Sequence, residues 1–144
     1  MQNENRPDPK DTVYVNGVSF SNHDLYIVVE DFYTRIQQDP ILHVPFLSVV
    51  DWPEHIQKIT HFWWIRFGGP AYMFSEYNPV AKHFFAGFNP ELLQRWLSLF
   101  HATLETHLSQ KQASLWKNIS TRMGDALTIK NELFKQTYET DSKK

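Results

Sequence analysis

The sequence contains no cysteine in its 144 residues. That absence excludes disulfides, thiolate zinc sites, iron–sulfur clusters and covalent haem attachment through a C-x-x-C-H motif. An excess of one charge is lacking as well. Fourteen Lys and Arg against 16 Asp and Glu leave a formal charge of −2, so neither nucleic acid nor an anionic membrane surface is an expected partner. No apolar run approaches the roughly 20 residues that span a bilayer. The opening, MQNENRPDPKD, is polar rather than signal-like, which makes the expected location cytoplasmic, without membrane insertion. Repeats and strand-period alternation are also missing. What is present is aromatic bulk: 11 Phe, 6 Tyr and 5 Trp, within 42% hydrophobic residues. One domain of this length buries roughly 70% of the surface its unfolded chain exposes, and so bulky an interior suits a flat ligand.

Four helices are expected from periodicity and caps. Ser21 and Asp24 open the first, whose residues Leu25, Val28, Val29, Phe32 and Ile36 share one face before Asp39-Pro40 ends it. Asp51, Pro53 and Glu54 open the second, stopped by Gly68-Gly69-Pro70; on it His55, Ile59, Phe62 and Arg66 form a stripe. Asn89-Pro90-Glu91 starts the third, and Ser109 with Gln112 the fourth. Between the second and third, only a short helix around His83 is expected. Residues 1–20 read as a flexible arm and lead-in, residues 21–136 as the helical domain and residues 137–144 as a frayed tail. In the lead-in, Asn16-Gly17 suits a hairpin turn. The arms are short, however, so an irregular segment packing Tyr14 and Phe20 onto the helices is the favoured expectation. By periodicity alone the fold class is an all-α bundle with no assigned function.

Four strings carry more. DFYTRIQQDPIL with VPF behind it, WPEHIQKITHFWW, NPVAKH and FNPELLQRWLSLF follow one another in order and spacing, and together the chain resembles the truncated haemoglobins, most closely their third group. The resemblance implies a two-over-two helical sandwich around haem, a shortened first helix and an irregular segment before the iron ligand. Without cysteine, that cofactor is non-covalent haem b.

Carried over residue by residue, the resemblance makes His83 the iron ligand, an imidazole nitrogen being the usual fifth ligand of oxygen-binding haem. Tyr33 and Trp96 correspond to distal hydrogen-bond donors, each with a plainer reading as core packing. His55 falls at the distal position where a histidine gates access, contacts the ligand or coordinates iron. Phe32, Phe46, Ile59, Phe62 and Trp63 correspond to residues that pack the porphyrin. Arg66 and Lys82 are either propionate partners or solvated surface charges. Two donors on bound oxygen would contribute about 3 kcal/mol, roughly a hundredfold slower release, which favours chemistry over transport. The implied function is O2 and NO binding for NO dioxygenation or peroxide reduction, with a reductase returning electrons. A gas-sensing module or a haem-free globin-like interaction module are the alternatives.

Overall fold

The computed structural model describes residues 7–73 and 89–142, with side chains described as far as residue 126. Among the described residues, two short strands, β1 (Thr12–Val15) and β2 (Val18–Ser21), lead into four helices: α1 (Asn22–Gln38), α2 (Trp52–Arg66), α3 (Pro90–His107) and α4 (Gln110–Ser142). Packing of α1 on α2 and of α3 on α4 makes two helical pairs, which meet where α1 lies against α3. This is the all-α sandwich expected.

Every helix start follows its local chemistry. At α1 the Ser21 hydroxyl accepts from the Asp24 N–H while the Asp24 carboxylate accepts from the Ser21 N–H, a complete capping box. Asp51 and Asn89 accept from the Glu54 and Leu92 amides at α2 and α3, each with a proline in the first turn, where a missing N–H costs nothing. Ser109 and Gln112 exchange backbone and side-chain hydrogen bonds ahead of α4.

The lead-in is where expectation and structure differ. Residues 12–21 form an antiparallel hairpin with Val13 opposite Phe20, not an irregular segment. Asn16 and Gly17 both adopt positive φ, 49° and 78°, the mirror-image turn whose twist matches two antiparallel strands and which a glycine enters without steric cost. Alternation then sends Phe20 fully inward, stacked on Phe67 at 5.0 Å and edge-on to Trp116 at 5.7 Å. Tyr14, expected to pack on the helices, is 72% exposed on the other face. Long-range hydrogen bonds secure the hairpin: the Asn22 N–H donates to the Asp11 carbonyl, and Gln112 Nε2 donates to the Ser19 carbonyl.

The chain leaving α2 is anchored by two ring nitrogens. Trp64 Nε1 donates to the Pro70 carbonyl at 2.9 Å, and His61 Nε2 accepts from the Tyr72 N–H at 3.2 Å beneath the Tyr72 ring. The Trp64 indole lies so close over Gly69 that a Cβ there would stand 2.3 Å from it. Only glycine lets the turn fold back this tightly.

Candidate functional site

Four elements supply the candidate side chains, all but Ile59 of them rings. Phe32 and Tyr33 come from α1, Phe46 from a 3-10 turn at Val44–Phe46, Trp52, His55, Ile59, Phe62 and Trp63 from α2, and Trp96 and Phe100 from α3. Proline at the start of the 3-10 turn fixes its φ, and this turn is what carries Phe46 back toward α1 and α2.

Tyr33 is 2% exposed and is the hub of one group. Its ring meets His55 edge-on at 5.3 Å, Phe46 at 5.7 Å and Trp52 at 5.8 Å. His55 is half-buried, with Nε2 itself buried, and also meets Trp52 at 5.4 Å and Phe46 at 6.4 Å. Phe32 joins this group to the next. It contacts Tyr33 at 5.1 Å, Trp96 edge-on at 5.1 Å and Phe100 at 4.8 Å. Trp96 stacks on Phe100 at 5.2 Å, and its Nε1 is a buried donor. Behind them Trp63 stacks on Phe100 and meets the buried Trp116.

Tyr33, His55 and Trp96, singled out from sequence for a polar role, therefore belong to one continuous ring cluster, in which Tyr33 touches His55 directly and Phe32 links Tyr33 to Trp96. Ile59 and Trp63 are buried, Phe62 is half-buried and packed against the core, and Arg66 is exposed at the end of α2. Lys82 and His83, together with the short helix expected around His83, lie outside the described residues. Sequence reading did not single out Trp52. A signal for it existed: Trp52 precedes His55 by three residues on one helix, so the two share a face.

Two other histidines, His61 and His101, sit in packed surroundings. Burial pushes the His61 pKa down, keeping it neutral with Nε2 as acceptor. His101 is lowered by burial and by the Lys117 ammonium, against a weaker opposing effect of Glu105, and its Nε2 lies 3.2 Å from the buried Ser120 hydroxyl. Among the described residues no three His, Asp or Glu side chains converge as a metal site built from protein alone requires. None of their helices is long and apolar enough to cross a membrane.

The side chains present suit a flat apolar group: aromatic and aliphatic surfaces predominate, and the polar ring atoms His55 Nε2 and Trp96 Nε1 are buried among them. Residues 21–128 match the model of a protein family described as bacterial-like globin. Among solved structures, that of a group III truncated hemoglobin from Campylobacter jejuni is similar at a TM-score of 0.64 and 22% identity, covering 76% of this chain and 89% of that one. No curated protein matches the sequence.

Proposed function

The chain belongs to the bacterial-like globin family, whose shared chemistry is the binding of small gases at haem, and from that premise we propose that it holds non-covalent haem b through His83 and binds O2 or NO beneath Tyr33, His55 and Trp96. The observation that carries this reading is the burial of these three ring donors at one apolar wall, inside the stretch that matches the family. Phe32, Phe46, Ile59, Phe62 and Trp63 would supply the apolar contact, which at roughly 25 cal/mol per Å² of buried surface provides most of the holding energy. We assign Arg66, exposed at the end of α2, as a partner for a haem propionate.

Bound haem supplies an iron that holds the gas and exchanges electrons. The protein's part is electrostatic: donors held in a water-poor setting favour a ligand that gains negative charge over one that stays neutral. Trp96 can only donate, Tyr33 donates through its hydroxyl, and His55 offers whichever nitrogen carries the proton. Such a donor set retains oxygen and assists its onward reaction, so we assign redox turnover, either oxidation of nitric oxide to nitrate or reduction of a peroxide, with a reductase as electron source.

Visible spectra of the ferric, ferrous and carbonyl forms test the haem reading directly. Wild-type protein is expected to show a Soret band and histidine-ligated spectra, and His83→Ala is expected to lose that ligation. Unaltered coordination in His83→Ala, or no Soret band after haem is supplied, overturns the assignment. Stopped-flow mixing of the oxygenated protein with nitric oxide then separates dioxygenation, which gives rapid ferric product and nitrate, from peroxide reduction.

A further inference from the structure

We propose that Trp52 is the latch of the pocket, a positioning residue that holds the His55 ring inward and sets how often it opens toward solvent. The proposal takes its functional meaning from the gas-pocket reading above, although the latch itself is a property of the folded chain. Trp52 is the first residue of α2, capped by Asp51 and followed by Pro53, so its backbone is fixed at the mouth of the helix. Helical side chains lean toward the N-terminus, which lays the His55 imidazole over the turn that carries Trp52. The contact is edge-on, at 5.4 Å and 85°. Trp52 is backed in turn by Tyr33 at 5.8 Å and by Phe46 at 6.4 Å.

A swing of His55 away from this group must break its contacts with Tyr33, Phe46 and Trp52, and the Trp52 indole is itself held against the first two rings. Trp52 is half-buried and packs on the core from outside the fully buried set, so its side chain can change without emptying the core. Its removal leaves His55 attached to the same helix and next to the same tyrosine, with one ring contact fewer to hold it.

The test is the rate at which diethyl pyrocarbonate modifies each histidine of the full-length protein, followed by peptide mass spectrometry. Trp52→Ala is expected to speed His55 modification about tenfold, the scale of losing well-packed ring contacts, while Trp52→Phe retains most of the protection. Buried His61 and exposed His23 serve as internal references and should keep their rates. In haem-loaded protein the same Trp52→Ala change should raise the bimolecular rate of carbon monoxide binding. An unaltered His55 rate in folded Trp52→Ala overturns the latch. If the alanine variant does not fold, Trp52→Leu fills the volume without an aromatic edge, and an unaltered rate there overturns the latch equally. So does a joint rise of His55 and His61, which would make Trp52 a general stabiliser. Modification rates need no haem, so a missing Soret band sinks the functional reading alone, whereas unchanged His55 modification beside normal haem spectra sinks the latch alone.

Discussion

Tyr33 places one hydroxyl in a neighbourhood otherwise built of rings, and its 2% exposure means that water does not compete for that hydroxyl. Under the proposed function, its O–H donates to bound oxygen. Removing one such bond to a partly charged acceptor costs about 1.5 kcal/mol, or roughly tenfold in the rate of release. Tyr33→Phe is therefore expected to speed oxygen dissociation about tenfold, read by stopped-flow displacement with carbon monoxide. Because the phenyl ring keeps the contacts to His55, Phe46 and Trp52, the fold should survive, and an unchanged rate would assign the hydroxyl to core packing. Tyr33, His55 and Trp96 were legible in sequence through the strings that carry them. Trp52 was legible only in part: its spacing puts it on the same helix face as His55, but its contacts with Phe46 and Tyr33 come from other elements and appear only in the folded chain. The exposure of Tyr14 was likewise hidden, since its side of the hairpin depends on a register that only the folded pairing defines.

Between elements, Asp39 joins three pieces of the chain. It ends α1, its carboxylate accepts from the Ile41 and Leu42 amides to shape the next turn, and the same group receives Arg95 Nε of α3 at 3.0 and 3.1 Å. Burial alone would raise the pKa of this carboxyl, but the Arg95 guanidinium and the Leu42 and Ile41 N–H groups outweigh it, so the folded value lies below the ordinary one. With its side chain only 14% exposed, these bonds are partly shielded from water, and Asp39→Ala is expected to cost about 1.5–3 kcal/mol in urea unfolding. A lowered folded pKa means that the unfolded chain takes up the proton first. The stabilisation is therefore complete above the unfolded value of about 3.9 and is lost as pH falls through the lower folded value. The gap in stability between wild type and variant should stay constant from pH 7 to pH 5 and narrow below pH 4. A gap independent of pH would deny the carboxylate this role. Helix starts were readable because a cap needs only a few neighbouring residues, as at Ser21 and Asp51. The Asp39–Arg95 clamp spans 56 positions, and nothing local announces it. The hairpin lay between these cases: Asn16-Gly17 signalled it, but what secures it is Gln112 and Asp11, contacts outside the strands themselves.

Across the molecule the aromatic surplus of the composition becomes one chain of ring contacts. From Trp96 it runs through Phe100, Trp63 and Trp116 to Phe67 and ends at Phe20. The hairpin is thus part of the same interior as the ring cluster around Tyr33, and Phe20 is its key: fully buried, it fills the space between the end of α2 and the face of α4. Loss of a buried phenyl ring removes its transfer energy and leaves a cavity that rigid neighbours such as Trp116 and Phe67 refill poorly, so Phe20→Ala should cost about 3–5 kcal/mol. Against a total stability of about 5–15 kcal/mol, that is a large share for a residue ahead of all four helices. Urea unfolding followed by circular dichroism should show a lower midpoint with an unchanged slope, the mark of a less stable but equally compact native state. If the hairpin were only an appendage, the midpoint would not move. In that event the helices alone would hold the pocket, and the ring chain would end at Phe67.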